Sequence, residues 1–180
     1  MAGVRIARAD DARAIAAIYA PYVRDTPISF EEDAPTPEEM RERVIKTLRT
    51  HPYLVYENEG DGAVVAFAYA APLRERVAYR WTVEVAIYAD AAVHGRKIGR
   101  ALYSRLLADL ARQGFHTAFA GIALPNDKSV GLHEAMGFRH VGTFSEVGFK
   151  LGSWRDVGWW QVTIGQGAPR AEPVPFSELD

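Results

Sequence analysis

One acidic residue interrupts a segment that otherwise has the pattern of a buried strand. Glu84 lies in YRWTVEVAIY, residues 79–88, where branched aliphatic and aromatic side chains predominate. Burial destabilises the charged form of a carboxylate and raises its pKa toward neutrality, which suits a general base. A glutamate on the solvated face of the strand, or one paired with Arg74 or Arg80, would give the same pattern without any chemistry. The strand pattern alone leaves these interpretations open.

A basic segment containing two glycines follows this strand and precedes an amphipathic helix. It reads HGRKIGR, residues 94–100. Small residues let backbone N–H groups approach an anion, and the N-terminus of a helix adds partial positive charge. The spacings of a P-loop and of a dinucleotide-binding loop are both missing. The segment therefore predicts either a diphosphate site of another kind or a basic turn that caps a helix.

Polar residues in LPNDKS, residues 124–129, lead into a short predicted helix that carries His133. Asn126 or Asp127 is expected to cap that helix. His133 lies on the same helix face as Ser129, four residues earlier, and an imidazole that titrates near neutral pH could carry a proton. A histidine with a purely structural role fits the sequence as well.

A pair of arginines lies in the loop that follows Pro72, in the order Arg74-Glu75-Arg76. Two guanidinium groups can hold a carboxylate or a phosphinate through paired hydrogen bonds. A solvated charged turn would have the same sequence, so the loop is a candidate anion clamp and no more.

Alternating helix and strand patterns supply the elements that must position these residues. Helix starts are expected at Asp10 or Asp11 and at Thr36-Pro37, and Gly60-Asp61-Gly62 indicates a hairpin. A meander of strands followed by strand–helix–strand units predicts an α+β protein with a mixed sheet. The predicted strands are residues 4–8, 53–57, 63–70, 79–88, 115–124, 138–149 and 157–164, and the predicted helices begin near residues 11, 37, 98 and 126.

Length and composition narrow the class of protein further. The 180 residues correspond to roughly one domain, which we place at residues 1–164, followed by a proline-rich arm at residues 165–180. The arm is expected either to lack fixed structure or to pack on a partner subunit.

Several functions are excluded or disfavoured by the composition. The chain has no cysteine, which excludes disulfides and thiol catalysis, and it has no metal-ligand spacing such as HExxH. A net charge of −2 disfavours a nucleic-acid-binding protein. No apolar run approaches the roughly 18 residues of a membrane span, and the first residues lack the apolar core of a secretory signal. We therefore expect a cytoplasmic protein that binds no metal, nucleic acid or membrane.

Taken together, these features resemble the GNAT superfamily of N-acetyltransferases, and within it the phosphinothricin acetyltransferase family with its methionine sulfoximine-acetylating relatives. The similarity extends from about Val4 to Thr163. It is carried by SFEEDAPTPEE (29–39), AYRWTVEVAIY (78–88), ALPNDKSVGLHEAMGF (123–138) and VGFKLGSWRDVGWWQ (147–161).

The resemblance implies both a fold and a reaction. The fold is that of the GNAT acyl-CoA N-acyltransferases, a central twisted mixed sheet flanked by helices. The cosubstrate is acetyl-CoA, which lies between two splayed parallel strands ending near Tyr88 and Leu124. The acetyl group passes directly to the α-amino group of a small amino acid such as phosphinothricin, methionine sulfoximine or methionine sulfone. Herbicide resistance and a homodimer, with residues 150–156 near the partner's site, are implied as well.

The resemblance also implies roles for individual residues. Glu84 matches the catalytic base, and His133 matches an acid, a proton relay or a substrate-orienting group. Backbone groups near Val85 or Ile87 would stabilise the negative charge that develops on the carbonyl oxygen. The expected acetyl-CoA contacts are Val85, Ala86, Ile87, Tyr88, His94, Gly95, Arg96, Lys97, Ile98, Gly99, Asn126 and Ser129. The expected amino-acid contacts are Phe30, Glu31, Arg74, Glu75 and Arg76.

One position departs from the family's diphosphate loop, which has Gln or Arg, two variable residues, Gly, one variable residue and Gly. This chain has His94 in the first place and Lys97 in place of the first glycine. If that position needs a positive φ, lysine costs about 1 to 2 kcal/mol there. A contact between its ammonium and a phosphate would offset that cost. The departure from the family's loop therefore bears on the affinity for CoA.

Two other functions remain open. The first is a GNAT enzyme that acts on a different amine, such as another amino acid, a polyamine or a peptide N-terminus. The second is a non-catalytic acyl-CoA-binding module. The arginine pair favours an anionic acceptor over a polyamine, and the presence of both Glu84 and His133 favours catalysis.

Overall fold

The computed structural model describes residues 3–93, 95–169 and 171–179. Its strands form one mixed sheet in the order β1-β2-β3-β4-β5-β7-β6. The strands are β1 (Gly3–Ile6), β2 (Tyr53–Glu57), β3 (Val64–Pro72), β4 (Thr82–Ala89), β5 (Thr117–Leu124), β6 (Arg139–Lys150) and β7 (Ser153–Thr163). The helices are α1 (Ala12–Asp25), α2 (Pro37–Leu48), α3 (Ile98–Gln113) and α4 (Asp127–Ala135).

The strand pairing divides the sheet at one place. Within the part of the chain that the structure describes, β4 and β5 are the one parallel pair, and the other neighbouring strands are antiparallel. The predicted α+β class and the β2–β3 hairpin are confirmed. The final hairpin is longer than the sequence pattern predicts, because β7 begins at Ser153 rather than near residue 157.

Each face of the sheet has its own hydrophobic cluster. On β3, Ala66 and Ala68 pack with α3, whereas Phe67 packs with α1 and α2. This alternation follows from the period of two along a strand. On β4, Val83 and Val85 belong to the α3 side, so Glu84 between them points to the side of α1 and α2.

Local sequence explains where the helices begin and end. Thr36 and Glu39 form a reciprocal capping box at the start of α2, with Pro37 in the first turn. The α3 helix ends at Gly114, whose φ of 92° lies in the left-handed region that glycine tolerates. The predicted helix starts near residues 11, 37, 98 and 126 are therefore confirmed to within two residues.

The proline-rich arm packs against its own chain and has a fixed structure, whereas its packing on a partner subunit stays a prediction. The Gln113 amide donates hydrogen bonds to the carbonyls of Thr50 (2.8 Å) and Val174 (2.7 Å), tying the arm to the end of α3. The Trp81 indole donates to Ala171, and Phe176 is buried. The domain boundary at residue 164 stays a prediction. Among the described residues, no helix is both long and apolar enough to cross a membrane.

Lys150 does not extend toward a partner subunit as expected, because its side chain points into its own subunit. Its ammonium is buried and donates to the carbonyls of Val23, Ser29 and Glu31 at 2.5 to 2.7 Å. These bonds fix the loop between α1 and α2 against the end of β6. Lys150 therefore cannot serve as the group that reaches into a partner's site.

Candidate active site

The site is built around a gap between β4 and β5. The two strands pair in parallel at three positions, the last being Glu84 with Phe119. Beyond this point β5 continues to pair with β7 as far as Leu124, while the described residues provide β4 with no partner on that side. The strands therefore diverge, and a cavity of about 140 Å³ opens between their ends. This confirms the fold feature implied by the resemblance.

Backbone direction along β4 decides which peptide groups are open to a ligand. Asp90, just after the strand, donates its amide hydrogen bond to Val65 on the β3 side. Successive residues of a strand direct their N–H and C=O groups to opposite sides. Val85 and Ile87 therefore direct theirs into the gap. The peptide groups of Ala86 and Tyr88 are engaged with β3. Of the four residues expected to contact acetyl-CoA through their backbone, Val85 and Ile87 therefore remain.

Glu84 stands at the point where the strands diverge and lines the cavity. Its side chain is half-buried, and burial raises the pKa of the carboxyl above its ordinary value, while the positive charge of Arg74 acts in the opposite direction. Arg80 is engaged with Glu172 at 2.6 Å. Among the described residues, no side chain forms an ion pair or hydrogen bond with Glu84. The half-buried carboxylate is therefore neither fully solvated nor held in an ion pair, and its role as a base stays a prediction.

His133 is buried and also lines the cavity. Its Nδ1 lies 2.7 Å from the carbonyl oxygen of Ser129, and its Nε2 lies 2.8 Å from the Tyr103 hydroxyl. Because a carbonyl can only accept, Nδ1 carries the hydrogen, and the neutral Nε2 accepts from Tyr103. Burial lowers the pKa of His133, which favours this neutral form.

Tyr103 is a cavity residue that the sequence reasoning missed. It lies on α3, is fully buried, and lines the cavity with its hydroxyl turned to His133. In sequence it stands next to Leu102 within an apolar helical stripe, so it has the pattern of a core residue. The one sequence signal for a role in the site is its hydroxyl among apolar helix residues, because a buried tyrosine hydroxyl requires a hydrogen-bond partner.

The basic loop, residues 95–99, places Lys97 in the positive-φ conformation that is costly for a residue other than glycine. Lys97 is the residue before α3, with φ 59° and ψ 10° in the left-handed region. No side chain among the described residues caps α3, so its first N–H groups are available to an anion. Gly99 allows α3 to lie close to α4, since a Cβ there would lie 2.9 Å from the Leu132 side chain. His94 lies outside the described residues.

The helix on the other side of the gap begins differently. Asn126 is the N-cap of α4, and its Oδ1 accepts from the Ser129 amide at 3.2 Å. Both residues line the cavity. The predicted cap is confirmed, with Asn126 as the capping residue.

The residues expected to contact the amino acid are not among those lining this cavity. The Glu31 carboxylate is held by Arg43 at 2.8 and 2.9 Å, which keeps its pKa below the ordinary value. Phe30 packs closely over Gly148. The arginine loop is exposed, with the Arg74 guanidinium 5.9 Å from the centre of the Trp159 ring. Glu75 and Arg76 lie in the same exposed loop.

Comparison with known proteins identifies the same family that the gap between β4 and β5 indicates. The family profile described as "Acetyltransferase (GNAT) domain" matches residues 4–159. The phosphinothricin N-acetyltransferase of Streptomyces viridochromogenes is 37% identical over 98% of this chain and 95% of its own length. The L-methionine sulfoximine/L-methionine sulfone acetyltransferase of Salmonella typhimurium is 31% identical over 92% of this chain and 96% of its own.

A solved structure extends the similarity to three dimensions. The phosphinothricin acetyltransferase of Sinorhizobium meliloti, crystallised with acetyl-CoA, superposes with a TM-score of 0.91 at 36% identity, covering 98% of this chain and 97% of that one. The chain belongs to the GNAT acetyltransferase family, and the predicted fold and enzyme class are confirmed.

Proposed function

We propose that the protein is an acetyl-CoA-dependent N-acetyltransferase that acetylates the α-amino group of a small amino acid of the phosphinothricin or methionine sulfoximine type. The observation that carries the proposal is Glu84, an unpaired half-buried carboxylate at the apex of the β4–β5 gap. The relatives with those named activities supply the acceptor class. Acetylation of phosphinothricin would make the protein a herbicide-resistance enzyme, and the proposal includes a cytoplasmic location.

The gap has the features that acetyl-CoA requires. Val85 and Ile87 present peptide groups that could pair with the amides of the pantetheine arm as an added strand would. The uncapped start of α3 and the basic loop, with Gly95, Arg96, Lys97 and Ile98, suit the diphosphate. Asn126 and Ser129 stand beside the path between these two ends.

Glu84 would accept a proton from the acceptor ammonium, because the nitrogen lone pair must be free before it can attack. The amine then forms the new bond to the thioester carbon. The carbon–sulfur bond breaks with CoA leaving as the thiolate, and the second proton of the nitrogen passes to this thiolate, so that the products are the amide and free CoA. A gap-facing N–H of Val85 or Ile87 would donate to the carbonyl oxygen as it gains negative charge. The raised pKa of Glu84 suits this role, since a base works best when its pKa lies near the working pH.

His133 supports the site as an orienting group rather than as an acid. Its one N–H donates to Ser129, so the ring offers Tyr103 a lone pair and no proton. The Tyr103 hydroxyl is thereby held with its own lone pairs toward the cavity. We assign His133 a positioning role in place of direct proton donation to the thiolate.

Arg74 and Arg76 are proposed to bind the anionic end of the acceptor. The positive charge of Arg74 lowers the pKa of Glu84, and this interaction supports a role for Arg74 close to the base. Glu75 and Phe30 would border the same entrance, and Glu31 would act through Arg43. A clamp of two guanidinium groups favours an amino acid over a polyamine.

A homodimer formed through the β6–β7 hairpin is part of the proposal. Large apolar side chains are exposed along this hairpin, with Phe149 58% and Trp154 59% accessible. Contiguous exposed apolar patches of this kind mark protein interfaces. We expect a mass of twice 19.9 kDa in solution and a monomer for Phe149→Glu. A wild-type monomer by light scattering would contradict this.

The test of the function is CoA release from acetyl-CoA, followed with a thiol reagent, to which a chain without cysteine contributes no background. The acceptors are phosphinothricin, methionine sulfoximine, methionine sulfone, plain amino acids and spermidine. We expect turnover with the tetrahedral-headed amino acids. Turnover with spermidine alone would overturn the acceptor class, and no turnover with any of them would favour a non-catalytic acyl-CoA-binding module.

A further inference from the structure

A second cavity, of about 350 Å³, lies under α2 on the face of the sheet to which Glu84 points. Its lining differs from that of the gap between β4 and β5, since its walls come from α1, α2, β2 and β3. Its volume falls within the range of roughly 300 to 1,000 Å³ that is usual for small-molecule sites. None of the residues assigned to acetyl-CoA lines it.

This cavity adjoins the proposed catalytic base. Ala71, which lines the cavity, is the direct cross-strand partner of Glu84. Directly opposed residues of an antiparallel pair point to the same face with Cβ atoms about 5 Å apart. Because Ala71 has only a methyl group, it leaves the space beside Glu84 open. Tyr69 lines both this cavity and the gap, so the two share a wall.

Aromatic rings form the floor of the cavity. Tyr53 lies 5.1 Å from Tyr69 and 5.8 Å from Phe67, ring centre to ring centre, with interplanar angles of 12° and 16°. No side-chain or backbone group of the described residues forms a hydrogen bond with the Tyr69 hydroxyl, which is therefore open to a ligand. Such a surface suits an apolar or aromatic group with one polar point.

Charge at the cavity is confined to its solvent side. Arg43 and Lys46 are exposed there, and Arg43 is already engaged by Glu31. His51 lies toward the buried end, where burial lowers its pKa to about 4 and leaves it neutral at pH 7. The positive charge of Lys46 at the entrance and a neutral interior disfavour a cationic side chain.

We infer that this cavity is the side-chain subsite of the acceptor and that the enzyme acetylates L-amino acids with large apolar or aromatic side chains, such as phenylalanine. The inference rests on the proposed function, since it places the α-amino group beside Glu84 and the side chain under α2. The acceptor range is therefore wider than that of a site built for small tetrahedral groups alone.

The test compares L-phenylalanine, phosphinothricin and spermidine as acceptors, first with the wild-type protein. Phenylalanine turnover supports the inference. Phosphinothricin turnover without phenylalanine turnover overturns the inference and leaves the proposed function standing. No turnover with either overturns both, and preference for spermidine over phenylalanine also overturns the inference.

A matched pair of variants on α2 locates the subsite. Thr47 lines the cavity, whereas Ile45 is 41% exposed on the same helix. Thr47→Phe fills the cavity, so we expect the ratio of kcat/KM for phenylalanine to that for phosphinothricin to fall about tenfold, the usual scale for steric exclusion in an apolar pocket. Ile45→Phe should leave that ratio at its wild-type value. Equal ratios in the two variants would overturn the inference, and circular dichroism with Tm shows that both are folded.

Discussion

The two halves of β4 are built for different tasks. From Thr82 to Glu84 the strand has a partner on each side, β3 and β5. From Val85 to Ala89 it keeps β3 and loses β5. The paired half holds a carboxylate at a fixed position, and the open half offers peptide groups that a ligand can complete. One strand thus positions the proposed base and forms one wall of the proposed acetyl-CoA site, and the change occurs at Glu84.

The helix starts beyond the two strands show a parallel difference. The α4 helix, after β5, is capped by Asn126. The α3 helix, after β4, begins from a left-handed Lys97 without a side-chain cap. The first N–H groups of α3 have no side-chain acceptor among the described residues, so the open half of β4 leads directly to the place where a diphosphate would be held.

The largest expected effect comes from changing the paired half. Glu84→Gln removes the base and keeps the shape, so we expect kcat at pH 7 to fall by about 100-fold or more. The affinity for acetyl-CoA, measured by calorimetry, should be unchanged because the open half is intact. An equal loss of affinity and turnover would show that the two halves do not have separate tasks.

Substitutions at Lys97 test the open half and separate its charge from its strain. Lys97→Ala and Lys97→Gly both remove the ammonium, and we expect each to weaken acetyl-CoA binding about fivefold, the equivalent of one hydrogen bond of about 1 kcal/mol. Only glycine relieves the left-handed backbone, so Lys97→Gly should be more stable than Lys97→Ala by about 1 kcal/mol in urea unfolding. Unchanged affinity in both would mean that Lys97 does not bind phosphate.

Substitutions at Asn126 test the capped helix start. Asn126→Ala should lower the free energy of unfolding by about 1 kcal/mol, because the Ser129 amide loses its acceptor. Asn126→Asp keeps an acceptor and should retain the stability. If acetyl-CoA binding weakens in both variants, the amide N–H of Asn126 contacts the ligand. If binding is retained in both, its role is the cap alone.

The smallest expected effect is on stability. Because the folded pKa of Glu84 is raised, the folded state holds that proton more tightly than the unfolded chain does. The contribution of this group to stability is therefore present at low pH and is lost as the pH rises through the folded pKa. Glu84→Gln should gain in Tm relative to the wild type as the pH is raised from 4 to 8. A constant difference in Tm would contradict the burial of this carboxylate.

The sequence was sufficient to single out a candidate residue in the paired half of β4, but it did not indicate how the open half presents its backbone. Glu84 could be identified because a carboxylate is conspicuous among apolar strand residues. The direction of the peptide groups of Val85 and Ile87 could not, since a side-chain pattern does not record which edge of a strand lacks a partner. Only the resemblance to a family supplied the gap.

The remaining differences arise from contacts between distant segments. Tyr103 has the helical spacing of a core residue, and its bond to His133 joins residues 30 positions apart. The cavity under α2 is assembled from four elements, and no local pattern contains it. The proline-rich arm has no periodicity, yet Gln113 fixes it through backbone carbonyls, which are not visible in a sequence.

The most direct test of the central claim, that Glu84 is the base, is the pH dependence of kcat/KM for the amino-acid acceptor in the wild type and in Glu84→Gln. We predict a large difference near pH 7 that narrows as the pH approaches the pKa of the acceptor amine, because a free amine no longer needs a base. The wild-type rate should fall at low pH with an apparent pKa above the ordinary carboxyl value. Identical profiles, or a difference that does not change with pH, would contradict the assignment.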